Sequence, residues 1–185
     1  MKSVLKIAVL ALMAVAATSA SASQGCPAER AVYKLRGAPG VTAGFARQRY
    51  QLNYTSNLFF WIQTSDRRRW WFSMNLPNGF AGISLSPDVD ATKITRADHE
   101  ADPPPAPENP IQIDFDMFDR NYGVIEIPPQ ARTPAPAHLY ARGIGPLIWY
   151  NPVGAANGDK TAKTASIPIA MYDLAGCHLP RCAYF

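Results

Sequence analysis

The chain has 185 residues, with 18 Lys and Arg against 14 Asp and Glu, 17 prolines, 12 glycines and an aromatic share of 11%. That length suits one domain with a sizeable core, and the proline, glycine and aromatic content argues against a helical bundle and for strands joined by sharp turns. The net charge of +4 is mild, whereas nucleic-acid binders carry a concentrated excess of Lys and Arg, so no nucleic acid is expected as a partner.

The first stretch, "MKSVLKIAVLALMAVAATSASASQGC", has Lys2 and Lys6 ahead of an apolar run over 7–17, then Ala20, Ser21 and Ala22 as small residues. This is the pattern of a secretory signal peptide over 1–22. The run is too short for a membrane span, which needs about 20 residues, and no transmembrane segment is expected in the mature chain. Ser23 stands where a lipoprotein signal would put an aliphatic residue before Cys26, so no lipid is expected there. Removing 1–22 leaves 16 basic residues against 14 acidic ones, a net +2. In an oxidising compartment, Cys26, Cys177 and Cys182 are disulfide candidates with one cysteine left over. Either "CHLPRC" closes on itself or Cys26 ties the two ends together. The long closure is favoured because it removes more unfolded-state entropy.

Period-two alternation then runs along the chain. "AVYKLR" sets Ala31, Tyr33 and Leu35 against Lys34 and Arg36, and "ARQRYQLNY" sets Tyr50, Leu52 and Tyr54 against Arg47, Arg49, Gln51 and Asn53. "LFFWIQT" and "RWWFSMNL" form a hairpin, and "FAGISL" is a further strand. The pattern breaks over 87–110, an acidic and proline-rich connection with a short helix that Pro103 would end. Beyond it, "IQIDFDM" sets Ile111, Ile113, Phe115 and Met117 against Gln112, Asp114 and Asp116; "GVIEI", "AHLYAR", "PLIWY" and "IPIAMY" complete the series. The prediction is one all-β domain over 23–185, an antiparallel β-sandwich or distorted barrel of about nine or ten strands with a proline-rich crossover.

In "SDRRRWW", Arg67, Arg68 and Arg69 run into Trp70 and Trp71. With a tight turn over 65–68, Trp61 lies opposite Phe72, Phe59 opposite Met74 and Gln63 opposite Trp70. The reverse face then carries Leu58, Phe60, Ile62 and Trp71, and a strand apolar on both sides needs cover on both. Arginines at such a tip keep it in water and discourage edge pairing. The functional alternative is a patch of Ile62, Trp71 and the three arginines that binds an anionic envelope lipid, a glycan or an envelope protein.

Other candidates are fewer. Asp114, Asp116 and Glu126 share one face of a second hairpin and are the candidate ligands for calcium, or a carboxylate pair for a hydrolase. "DVDATKITRADHE" lacks the glycine and glutamate of an EF-hand, with Lys93 and His99 in their places. The histidines His99, His138 and His178 fall in no zinc-protease spacing, and no nucleophile elbow, phosphate loop or dinucleotide fingerprint occurs. A loop closed at "CHLPRC" would offer Arg181 to a trypsin-like protease. Trp149 and Tyr150, beside Asn151, are candidates for holding a sugar. The reading is an exported, periplasmic or secreted, non-catalytic binding protein without a cofactor. An inhibitor of an envelope enzyme and a hydrolase using Asp114, Asp116 and Glu126 are the alternatives.

Overall fold

The computed structural model describes residues 25–47, 55–76, 82–100 and 109–178. After a 3-10 turn at Ala28–Arg30 come the strands β1 (Ala31–Leu35), β2 (Ala38–Arg47), β3 (Leu58–Gln63), β4 (Arg69–Asn75) and β5 (Ser84–Asp88). The short helix α1 (Arg96–Glu100) follows, then β6 (Ile113–Asp114), β7 (Asp116–Phe118), β8 (His138–Tyr140), helices α2 (Ile144–Tyr150) and α3 (Pro152–Ala155), and β9 (Tyr172–Cys177). All pair antiparallel in one sheet of order β6-β5-β4-β3-β2-β1-β9-β8-β7. Only Phe115 separates β6 from β7, so the two ends of the sheet belong to one chain segment and the sheet is nearly closed as a barrel. Phe115 marks the join: its amide donates to the Ile83 carbonyl at 2.9 Å while its ring points inward, 4.9 Å from that of Phe60.

The inside is solid. Tyr33, Leu35, Phe45, Leu58, Phe60, Ile62, Phe72, Met74, Leu85, Met117, Leu139 and Tyr172 form one buried cluster, as the interior of a small barrel demands when alternate residues turn inward. Burial removes water from the Tyr33 and Tyr172 phenols and pushes both above their usual range. Tyr33 donates its hydroxyl to the Pro136 carbonyl at 2.9 Å, which satisfies the one polar atom it carries inward.

The period-two prediction holds best where β1 and the β6–β7 segment alternate buried and outward residues, Ile113, Phe115 and Met117 inside against Asp114 and Asp116 outside. Residues 48–54 of the "ARQRYQLNY" candidate lie outside the described residues. Three other candidates differ. "PLIWY" lies in helix α2, whose Ile144 and Ile148 are buried one turn apart. Pro146 sits in its first turn, where a missing amide hydrogen costs nothing. "GVIEI" pairs only through an isolated Phe118 to Val124 bridge, and in "IPIAMY" only Tyr172 reaches a strand. The connection after β5 returns the chain to the neighbouring strand β6. No helix among the described residues is long and apolar enough to cross a membrane.

Cys26 and Cys177 form a disulfide with Cα atoms 5.7 Å apart, stapling the start of the barrel to β9 across 151 residues. A closure of that length stabilises by about 5 kcal/mol in the chain-entropy picture. Cys182, the signal-peptide candidate and Arg181 lie outside the described residues.

Candidate functional site

The hairpin joining β3 to β4 decides what the arginines do. Thr64 and Arg68 close a three-residue loop: the Thr64 amide donates to the Arg68 carbonyl at 3.0 Å and the Arg67 amide to the Thr64 carbonyl at 2.9 Å. Arg67 takes the left-handed conformation, φ 66°, that this loop type requires of its last residue. Asp66 accepts from the Thr64 hydroxyl, with the Arg68 guanidinium 2.7 Å away, and those contacts hold its carboxyl below the usual range against the cost of desolvation.

This turn shifts the pairing by one residue from the expected register. Phe59 pairs with Ser73, Trp61 with Trp71 and Gln63 with Arg69. A one-residue slip reverses every side chain. Ile62 therefore faces the barrel interior with Trp70, and Trp71 faces outward with Trp61. The expected patch of Ile62 and Trp71 is corrected on that ground: the two residues lie on opposite faces. The outer face is covered as well. Ala91 and Ile94, from the connection after β5, pack on Phe59 and Trp71 in a second apolar cluster with Ala46 and Trp61 at its border.

Across the outside of the sheet, Gly44, Trp61, Trp71 and Asp88 stand in one register row. Gly44 is required there, because a Cβ would lie 2.7 Å from Trp61 Cζ2 and 2.8 Å from the Ala31 carbonyl oxygen. The Arg69 guanidinium lies 4.6 Å from the Trp61 ring centre and 5.5 Å from that of Trp71. It donates to Gln63 Oε1 from Nε at 3.0 Å and from its terminal nitrogen. Such a cation–π contact contributes about 0.5–1 kcal/mol at an exposed site and fixes the side chain. Arg68 points elsewhere, over Trp70 at 5.7 Å and onto the carbonyls of Lys163 and Thr164 at 3.3 and 2.6 Å. Arg67 is exposed. The three consecutive arginines thus have three different surroundings.

Beside the Arg69 stack runs an open groove of about 450 Å³, lined by Arg69, Trp70 and Trp71 of β4, by 88–90, and by the 156–159 turn that leaves α3. Burial raises the Asp88 carboxyl above its usual range, although the Val89 amide, 2.7 Å from Oδ1, and the Ser73 hydroxyl pull the other way. Asp90 loses some solvent but is held low on balance by the hydroxyl and amide of Thr92 and by Lys93. Asp159 is held low by the Thr161 hydroxyl and amide. The groove thus presents three carboxylates and the amide of Asn157 beside one guanidinium that already has partners.

A second polar cluster lies on the outer face of β8 and β9, with no signal in the sequence because its members are far apart in the chain. His138 Nδ1 is 2.7 Å from Asp173 Oδ1, and Arg36 donates to both oxygens of Asp173 at 2.9 and 3.0 Å. Tyr122, at φ 62°, stacks on His138 with ring centres 4.5 Å apart and planes 5° from parallel. The Arg36 and His138 contacts hold the Asp173 carboxyl below its usual range against a lesser desolvation cost.

The remaining predicted residues lie outside the groove. Asp114 and Asp116 are exposed on the barrel surface and Glu126 lies in the irregular segment beyond β7. Among the described residues, no three His, Cys, Asp or Glu side chains gather as a metal-ligand set. Trp149 and Tyr150 are exposed at the end of α2, with Asn151 spent on capping α3 through its Oδ1 and the Gly154 amide at 2.9 Å. No protein-family model, curated protein or solved structure matches this chain.

Proposed function

We propose that this is an exported, non-catalytic binding protein that holds a glycan bearing amino sugars in the groove between β4, β5 and the 156–159 turn. The leader-like start and the Cys26 to Cys177 disulfide support export to an oxidising compartment. The filled barrel interior supports an external site, since the core side chains occupy the space a lumen would need. The groove itself is the observation that carries the reading, because its lining combines several acceptors with one fixed donor. Carboxylates accept hydrogen bonds from sugar hydroxyls and ammonium groups and repel the phosphates of an anionic lipid surface. Among an anionic lipid, a glycan and an envelope protein as ligands, that chemistry favours the glycan.

Calorimetric titration with chito-oligosaccharides, acetylated and de-acetylated, tests it. The de-acetylated form should bind more tightly, and Asp88→Asn should weaken it about tenfold by removing a charged acceptor. Retention on phosphatidylglycerol vesicles with no glycan binding would overturn the reading.

A further inference from the structure

Residues 157–164 form an arc with exposed or half-exposed side chains, between Ala155 and Ala165, which are buried against the barrel. The start of this arc is one wall of the groove. Its backbone turns through two positive φ angles, 50° at Asn157 and 89° at Gly158, and the Gly158 amide donates back to the Val153 carbonyl at 2.8 Å. The Asn157 and Asp159 amides likewise donate to the neighbouring Gly154 and Ala156 carbonyls at 3.2 and 3.1 Å, Asp159 accepts from the Thr161 amide and hydroxyl, and the Ala162 amide donates to the Asp159 carbonyl at 3.1 Å. Among the described residues, the hydrogen bonds that tie the arc to the strands and hairpins of the barrel come from one side chain. They are those of Arg68 to the carbonyls of Lys163 and Thr164.

We infer that Arg68 is a positioning residue that latches the 157–164 arc to the β3–β4 hairpin and so sets the far wall of the groove. The geometry is suited to that task. Asp66 orients the guanidinium at its edge through Nε, the Trp70 ring lies against its face, and one terminal nitrogen, Nη1, reaches two successive carbonyls. A charged donor on a carbonyl makes a stronger bond than a neutral one, and a planar guanidinium serves several acceptors at once. Arg69 fixes the near wall through its tryptophan stack, so two adjacent residues where the β3–β4 hairpin enters β4 control both sides. The assignment rests on the groove being the binding site only for its functional meaning; the latch itself is a property of the free protein.

Digestion with a protease specific for lysine tests the latch, because Lys160 and Lys163 lie in the arc while Lys34 in β1 and Lys93 in the other connection report on the rest. Arg68→Ala should raise cleavage at Lys160 and Lys163 about tenfold, as expected when local opening is eased, and leave Lys34 and Lys93 at the wild-type rate. Should Arg68→Ala also expose Lys34, Asp66→Asn takes its place, since it only removes the carboxylate that orients Arg68. Unchanged cleavage at Lys160 and Lys163, or an equal rise at Lys34 in both variants, would overturn the inference. A de-acetylated chito-oligosaccharide added to the wild type should slow the same cuts. Failure of that protection alone counts against the glycan reading and leaves the latch standing.

Discussion

Two polar centres sit on the outside of the same barrel, and they differ in whether their charges are matched. Around Asp173, one carboxylate meets Arg36 and His138 at 2.7–3.0 Å, and Tyr122 lies over the imidazole. Around Asp88, no cation among the described residues pairs with the half-buried carboxyl, and it moves in the opposite direction. A satisfied network holds strands together and has little left to offer a ligand. A half-buried carboxylate facing an open groove keeps acceptor capacity, and perturbed groups of this kind cluster at functional sites. That contrast is the ground for proposing the site at β4–β5 rather than at β8–β9.

The contrast can be broken most severely at the floor of the groove. Trp71→Ala removes a buried ring from the outer apolar cluster and should cost about 3–5 kcal/mol in chemical denaturation, whereas Tyr122→Ala, truncating a half-exposed ring, should cost under about 1 kcal/mol. Asp173→Asn should cost about 1 kcal/mol by weakening the closed network while glycan titration stays at the wild-type value. Arg69→Ala should cost about 0.5–1 kcal/mol and loosen the near wall, visible as faster exchange of Trp61 and Trp71 indole hydrogens.

The finest test is pH. Asp173 titrates lower folded than unfolded, so its stabilisation is present above the unfolded carboxyl value, about 3.9, and is lost as pH falls through the folded one. Asp88 titrates higher folded than unfolded, so the ionised group costs stability at neutral pH and that cost disappears as pH falls through its folded value. Melting curves from pH 7 to pH 3 should therefore show Asp88→Asn more stable than wild type at neutral pH and the difference closing on acidification. Asp173→Asn should show the reverse, a deficit at neutral pH that narrows in acid.

How far the sequence could be read varied by element. In β1 and in the β6–β7 segment, strict alternation of apolar and polar residues described both faces correctly, because one side meets the core and the other meets water. β2 carries no clear strand signal because its "APGVTAGF" stretch contains glycines that look like breakers; Gly44 is there to admit the Trp61 ring. The helix α2 reads as a strand in the sequence because a short apolar run with a Gly-Pro pair looks alike in both states. The groove was legible only in part: Arg69 and Trp71 stood out as candidates, while Asp88 and the 156–159 turn did not, since nothing local links them. Asp173, His138, Arg36 and Tyr122 had no pattern at all, being joined only across strands.

By itself the sequence determined an all-β chain with alternating faces and favoured a disulfide between its distant ends without choosing between Cys177 and Cys182, because side-chain period and loop entropy are local or chain-length properties. Tertiary structure decided the rest. The left-handed turn at Arg67 shifted one hairpin by a single residue, which moved Ile62 inside and Trp71 outside. Which tryptophan meets which arginine, and which carboxylate finds a cation, followed from that register and from how the connections fold back over the sheet.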